Sequence, residues 1–293
     1  MATSVLVGYD GSDHAKAAVA WAAPEALSRG VGLTLVSAFV PPTSGPAFSY
    51  GGFLSPDALE DVVDRARAAL AEEGAEIAQR YPGLTTTVDV AVASPAAALV
   101  EASRDACLTV VGSRGFGGFR GLVLGSVGMQ VATHAHSPVV VVRKPPDTSA
   151  TTVVVGIDGS PLSLKALGFA FDIASRRGWS LRLVHAWEIP SYDVLAAPSG
   201  PPPLEVDVYE EAEDRVNAEA LAGFRDSYPD VAVEEKTVRG PAARGIIDNA
   251  DGAALIVLGS HGRGEFLGAL LGSVSQGVLH RAGIPVAVVG SSS

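Results

Sequence analysis

The sequence predicts an α/β protein of two tandem domains. Each is a doubly wound, five-stranded parallel-type sheet with strand order 3-2-1-4-5 and helices on both faces. Three observations predict this fold class: the chain repeats itself once, strand patterns alternate with helical patterns, and the strands read as unbroken apolar runs. Unbroken apolar strands are buried on both faces, which is typical of parallel sheets covered by helices.

The repeat predicts the domain organisation. Residues 5–12 (VLVGYDGS) return 148 positions later as residues 153–160 (VVVGIDGS). Two further pairs of segments match at similar offsets: 33–39 with 181–187, and 138–142 with 285–289. We therefore expect one domain over residues 1–146 and a second over residues 147–293, each of ordinary domain length.

Each copy reads as five strands that alternate with four helices. The first helical pattern begins at Ser12 or Asp13, which are good N-cap residues, and stops at Gly30. Right-handed crossovers between such elements favour the predicted strand order. In the first copy the strands are expected at 4–9, 31–39, 85–92, 107–112 and 138–143, and the helices at 12–30, 57–81, 94–105 and 126–136.

Composition excludes several classes of protein. The net charge of −11 argues against a partner that is nucleic acid or an anionic membrane, because both attract basic surfaces. Apolar runs fall short of the roughly 18 residues that a spanning helix needs. The single cysteine, Cys107, lies in an apolar run and reads as a buried structural thiol. We expect a cytoplasmic protein.

One glycine motif occurs in both copies with the spacing Gly-x2-Gly-x9-Gly-Ser. It consists of Gly112, Gly115, Gly125 and Ser126 in the first copy, and of Gly259, Gly262, Gly272 and Ser273 in the second. The last two residues of each motif open a helix, whose unpaired amides and positive dipole end bind phosphate. The second glycine permits a positive φ or a close approach to a ligand. The alternative is that each glycine only makes a turn.

The predicted strand order brings two marked strands together. Strand 1 of the first copy ends at Asp10 and strand 4 ends at Gly112, with Asp158 and Gly259 in the second copy. Strands 1 and 4 lie on either side of the point where the winding reverses, and ligands of such sheets bind there. Each aspartate therefore faces a glycine loop across one crevice. The alternative for the aspartates is a structural turn before a helix N-cap.

These residues carry a family resemblance. The V-G-x-D-G-S segment after strand 1 and the glycine motif after strand 4 resemble the ATP-binding universal stress proteins, and both halves match. The resemblance implies ATP, with Mg²⁺ at Asp10 and Asp158, or a ribose contact there, and it implies adenine at the backbone of Ala38 and Ala186. It implies phosphate contacts from Gly112, Gly115, Gly125, Ser126 and Val127, and from Gly259, Gly262, Gly272, Ser273 and Val274. It also implies pairing through the fifth strands, internally or in a homodimer.

Further side chains are candidates for the same crevice. Arg114 and His261 occupy matching positions between the first two glycines, where each is either a phosphate contact or a solvated side chain. The loops 41–56 and 189–207 are long and rich in proline and glycine, which favours a lid or a partner contact over an ordinary connection. Disorder is the alternative.

Three functions remain open from the sequence. The first is an ATP-binding stress sensor or regulator with one site per repeat and an unknown protein partner. The second is a slow ATPase or a phosphoryl or nucleotidyl transferase in the same crevice. The third is a dimerisation module whose glycines only shape turns. We assign no catalytic residue, because no general base is poised in the motif and no Ser-His-Asp order is present.

Overall fold

The structure is a computed structural model that describes residues 4–41, 56–115, 124–188, 206–262 and 271–291. The chain divides into two compact units: residues 1–147 together with 283–293 form the first, and residues 148–282 form the second. No helix within the described part of the chain is long and apolar enough to cross a membrane.

The first unit alternates strands and helices as the sequence predicts. Its strands are β1 (Ser4–Gly8), β2 (Gly32–Phe39), β3 (Thr86–Val92), β4 (Ala106–Gly112) and β5 (Val139–Val142). Its helices are α1 (Asp13–Arg29), α2 (Pro56–Arg80), α3 (Pro95–Ala102) and α4 (Ser126–His134). The five strands are parallel and lie in the order β3-β2-β1-β4-β5, so the predicted order is confirmed for this half.

The second unit repeats this arrangement. Its strands are β6 (Thr152–Ile157), β7 (Ser180–Trp187), β8 (Val233–Arg239) and β9 (Leu255–Gly259), and its helices are α5 (Pro161–Arg177), α6 (Val206–Ser227), α7 (Ala242–Asp248) and α8 (Ser273–Arg281). The four strands are parallel and lie in the order β8-β7-β6-β9.

The last strand, β10 (Val286–Val289), belongs to the first compact unit. It pairs antiparallel with β5, with Ala287 opposite Val140. Every residue of both strands is buried. The pairing supplies the backbone hydrogen bonds that an apolar edge strand would otherwise leave open.

The first helix of each copy has the same local boundaries. The Ser12 hydroxyl accepts a hydrogen bond from the backbone N–H of Ala15, and Gly30 ends the helix in the left-handed conformation, at φ 66°. In the second copy Ser160 caps α5, and Gly178 ends it at φ 64°. Serine satisfies an amide that has no partner inside the helix, and glycine adopts the left-handed conformation without a Cβ penalty. These caps fix where each helix starts after its aspartate.

Candidate functional site

The crevice lies where β1 and β4 run side by side. Gly8, the last residue of β1, is in register with Val111 of β4. Asp10 therefore follows one strand and Gly112 ends its neighbour, at the same edge of the sheet. The switch point that the strand order predicts is present in the first unit.

Each aspartate is held by the turn that follows it and faces the second glycine of the motif. Asp10 Oδ1 accepts a hydrogen bond of 3.0 Å from the backbone N–H of Ser12, and Gly11 between them has a φ of 82°. The other carboxylate oxygen lies so close to the Cα of Gly115 that a Cβ there would collide with it. Gly115 therefore makes room for a carboxylate. Its φ is not positive, so of the two roles expected for this glycine the positive φ is wrong, and the close approach to a ligand stays a prediction.

The second copy has the same arrangement. Asp158 Oδ1 accepts a 3.0 Å hydrogen bond from the backbone N–H of Ser160, and the other oxygen lies against Gly262. Gly159 between them has a φ of 77°. The same geometry in both copies indicates that the contact between the aspartate and the second glycine is a shared feature of the motif.

The first glycine of each motif serves helix packing. A Cβ on Gly112 would lie 2.7 Å from the backbone carbonyl carbon of His14 in α1, and one on Gly259 would lie 3.0 Å from that of Leu162 in α5. Only a residue without a side chain lets the first helix approach β4 or β9 this closely. The packing brings the N-terminus of that helix next to the glycine loop.

The third glycine opens the helix at the crevice. The backbone N–H of Gly125 donates to the Ser113 carbonyl at 2.8 Å, and Gly272 makes the same bond to Ser260. Both glycines have extended backbones, with φ of −75° and −61°, and neither α4 nor α8 has a side-chain N-cap. The first-turn amides of these helices therefore have no side-chain acceptor from a cap, as suits a helix N-terminus that binds an anion.

The crevice of the first unit encloses a cavity of about 500 Å³. Its lining includes all eight residues that the sequence analysis assigned to the first site: Asp10, Ala38, Gly112, Arg114, Gly115, Gly125, Ser126 and Val127. Residues from three strand ends and one helix N-terminus thus share one cavity.

Several lining residues were not expected from the sequence. They are Gly8, Tyr9, Ala15, Val36, Pro95, Leu99, Val111, Ser113 and Gly128. The Ser113 side chain is 1% exposed, and its hydroxyl has no hydrogen-bond partner within the described residues. Leu99 reaches the cavity because Gly8 has no side chain: a Cβ there would lie 2.8 Å from a Leu99 methyl group. The second copy repeats this pair as Gly156 and Ile246, and this repetition is the signal by which the sequence indicates that the two positions meet.

Tyr9 adds a polar group to the same wall. Its side chain is 7% exposed, and its hydroxyl lies beside Glu73 of α2 without the geometry of a hydrogen bond. Burial, and then the neighbouring Glu73 carboxylate, raise the pKa of Tyr9 well above its ordinary value. The phenol therefore stays neutral. The second copy has Ile157 at this position, so this wall differs between the two copies.

Arg114 and His261 occupy matching positions with different surroundings. The Nε of Arg114 is buried and has no hydrogen-bond partner within the described residues. His261 places its Nδ1 3.2 Å from the Ser260 hydroxyl, whereas the matching Ser113 hydroxyl makes no such bond. His185 of β7 is buried and places its Nδ1 2.9 Å from the Ile157 carbonyl oxygen.

Sequence comparison shows the family. The model of the universal stress protein family matches residues 1–143 and again residues 150–290. The chain belongs to the universal stress protein family. A universal stress protein of Mycolicibacterium smegmatis is 39% identical over 292 residues, covering 97% of this chain and 96% of the relative. A universal stress protein of Mycobacterium tuberculosis is 37% identical over 298 residues, covering 98% and 97%.

Solved structures agree with this fold. A universal stress protein from Archaeoglobus fulgidus superimposes with a TM-score of 0.69 at 20% identity, covering 99% of each chain. A protein of unknown function from Pseudomonas aeruginosa superimposes with a TM-score of 0.64 at 18% identity, covering 98% of this chain and 92% of that one. The tandem universal stress fold is therefore shown by sequence and by structure.

Two expectations fall wholly or largely outside the described residues. The loops 41–56 and 189–207, expected as lids or partner contacts, are described only at their ends. Most of each segment between the second and third glycines, residues 116–123 and 263–270, also lies outside the described residues. Within the described ranges, no group of three or more histidine, cysteine or acidic side chains is placed to hold a metal ion.

Proposed function

We propose that this universal stress protein is an ATP-binding regulator with one nucleotide site in each copy. The observation that carries the proposal is the cavity of the first unit. It joins the Asp10 carboxylate, the Ser113 hydroxyl, the Arg114 guanidinium and the N-terminus of α4 in one crevice at the switch point of the sheet.

The phosphate end of the nucleotide fits the loop and the helix. Backbone amides at Ser126 and Val127 point along the positive end of the α4 dipole, and no side-chain cap competes for them. The buried Ser113 hydroxyl supplies a further hydrogen-bond donor. These groups bind phosphate oxygens without supplying a proton acceptor for an attacking water, so they favour binding over rapid turnover.

The base fits the apolar end of the cavity. Val36, Leu99 and Val111 form apolar walls, and Ala38, near the end of β2, lines the same cavity. Apolar walls with a few convergent polar groups are typical of cofactor sites. In the second copy Val184, Ile246 and Leu258 are the matching apolar residues, and all three are buried.

Magnesium would enter with the phosphates. Asp10 and Asp158 each offer one carboxylate at the mouth of the glycine loop. Mg²⁺ in nucleotide sites commonly takes one or two carboxylates and completes its shell with phosphate oxygens and water. Bound Mg²⁺ would neutralise phosphate charge beside the aspartate.

Calorimetric titration of the full chain tests the proposal. With Mg²⁺ present we expect about two ATP molecules per chain, and adenosine bound at least about tenfold more weakly, because each charge-assisted hydrogen bond to phosphate contributes roughly 1.5–3 kcal/mol. Equal affinities for ATP and adenosine would contradict the phosphate assignment. No binding of either, even at millimolar concentration, would leave a dimerisation module as the better reading. Mass spectrometry of small molecules that copurify gives an independent check.

A further inference from the structure

The two copies differ in charge at two matching positions, one inside the glycine motif and one after the last strand of each copy. The first copy has Arg114 between its first two glycines, where the second has His261. The first copy also has Arg143 directly after the PVVVV strand, where the second has Gly290 after PVAVV. One copy therefore supplies two guanidinium groups at repeat positions where the other supplies one imidazole.

Arg114 and His261 hold equivalent places in the fold. The position of a Cβ on Gly125 lies 3.8 Å from the Cα of Arg114, and the position of a Cβ on Gly272 lies 3.3 Å from the Cα of His261. Each residue thus lies beside the glycine that opens α4 or α8. A side chain at this place is within reach of whatever the helix N-terminus binds.

In the first unit, Arg114 lies in the crevice with a buried nitrogen, Nε, that makes no hydrogen bond within the described residues. Burial, and then the charge of Arg114, lower the pKa of Arg143. A buried guanidinium nitrogen without a hydrogen-bond partner is costly, and an anion bound beside Arg114 removes that cost. The Ser113 hydroxyl, also buried and without a partner there, points to the same conclusion.

Among the described residues, the second unit offers fewer hydrogen-bond donors to an anion beside its glycine motif. Its serine hydroxyl, on Ser260, is already within hydrogen-bond distance of the His261 ring. A guanidinium presents five N–H donors in a planar fork, whereas an imidazole presents at most two. The helix N-terminus of α8 and the Asp158 turn are otherwise like those of the first unit.

We infer that the two sites differ in how strongly they select for phosphate charge: the first prefers a nucleoside di- or triphosphate to a monophosphate, and the second binds monophosphate and triphosphate alike. The inference rests on the proposed nucleotide-binding function. It assigns to this chain two sites of one fold, of which one discriminates between nucleotides by phosphate number and the other does not.

Each site can be read separately in the full chain. Gly262→Val closes the second site and leaves the first, and Gly115→Val does the reverse, because each valine meets the carboxylate beside it. Each variant is titrated with ATP and with AMP at one salt concentration and without Mg²⁺, so that the aspartate contributes no metal contact at either site. At the first site we expect ATP to bind at least about tenfold more tightly than AMP, and at the second the two affinities to agree within about threefold.

A reciprocal exchange tests the cause in chains that keep all glycines. Arg114→His should lower the affinity of the tighter ATP site about tenfold and AMP affinity much less, and His261→Arg should raise ATP affinity at the weaker site. Arg67→Gln, which removes an exposed guanidinium paired with Asp64 on α2, is the matched control and should leave both affinities unchanged.

The outcomes separate this inference from the function on which it rests. If the ATP-to-AMP ratio is the same at both sites and the exchanged residues do not alter it, the difference in ligand preference is wrong while nucleotide binding stands. If the unmodified chain binds neither ATP nor AMP, the nucleotide-binding function itself fails.

Discussion

The Asp10 carboxylate and Gly115 are in direct contact across the crevice of the first unit. One oxygen of Asp10 accepts the backbone N–H of Ser12, and the other lies where a side chain on Gly115 would begin. Asp158 and Gly262 repeat the contact in the second unit. The second glycine of each motif therefore leaves room for the carboxylate of the aspartate beside the glycine loop.

Gly115→Val should close the first site and spare the core. The valine displaces the Asp10 carboxylate and distorts the loop that presents amides to phosphate, so affinity there should fall by roughly 1.5–3 kcal/mol or more. Calorimetry should then show about one ATP per chain, and Gly262→Val should give the same result for the other site. Both glycines are exposed or near the surface, so thermal unfolding should change little. A single variant that loses both sites while folded would show that the sites are coupled.

Gly125→Ser should improve folding and harm binding. The glycine has an extended backbone, and a Cβ there would make only an ordinary contact of 3.5 Å with the Ser113 carbonyl oxygen. Serine is a better N-cap than glycine by a few tenths of a kcal/mol, so the melting temperature should stay constant or rise slightly. Its hydroxyl would accept a first-turn amide that we assign to phosphate, so ATP affinity at this site should fall. Unchanged ATP affinity would remove the α4 N-terminus from the binding site.

Gly112→Ala should destabilise the first unit. The added methyl group would lie 2.7 Å from the backbone of His14, and backbone in a capped helix cannot move aside cheaply. Overpacking of this kind costs about 1–3 kcal/mol. Denaturant unfolding measures the loss. Gly30→Ala is a poor control because of its positive φ, whereas Ala102→Gly, at the end of α3, provides a mild helix variant for comparison. Full stability of Gly112→Ala would contradict the close packing of α1 on β4.

Asp10→Asn should preserve the turn before α1 and remove the proposed Mg²⁺ ligand. The asparagine side-chain oxygen still accepts the Ser12 N–H, so the turn and the cap of α1 should survive. The lost charge removes the ligand that we assign to Mg²⁺. Titrations with and without Mg²⁺ should then show that the metal strengthens ATP binding at the second site alone. Asp158→Asn should give the converse result, and an unaltered Mg²⁺ effect in both variants would show that neither carboxylate contacts the metal.

Removal of β10 should expose the edge of β5. A chain that ends at residue 282 loses the strand that pairs with Val139, Val140 and Val141, and all four residues of β5 are buried in the intact protein. An open, apolar edge promotes pairing with other chains, so the shortened protein should dimerise or aggregate. Light scattering after size-exclusion chromatography measures this, and a chain that lacks only residues 291–293 is the control. A stable monomer at micromolar concentration would contradict the prediction.

Much of the first site was predictable because its residues lie in short, repeated segments. Asp10 and Asp158 follow apolar strands, and the glycines recur at one spacing in both copies. Parallel strands with right-handed crossovers leave few arrangements, so a residue at the end of strand 1 and one at the end of strand 4 must meet. The roles of Gly112 and Gly115 were less predictable. The neighbours that require glycine there, His14 and Asp10, are distant in the sequence.

The sequence by itself determined the duplication, the strand order of the first half and the position of the crevice between strands 1 and 4, because these follow from local periodicity and chain connectivity. Only the tertiary structure decided that Leu99 and the buried Ser113 hydroxyl share one cavity with Asp10, and that the last strand completes the first compact unit beside β5. Such contacts join segments far apart in the chain. They depend on which surfaces fit when the sheet and helices pack, and no local pattern encodes that fit.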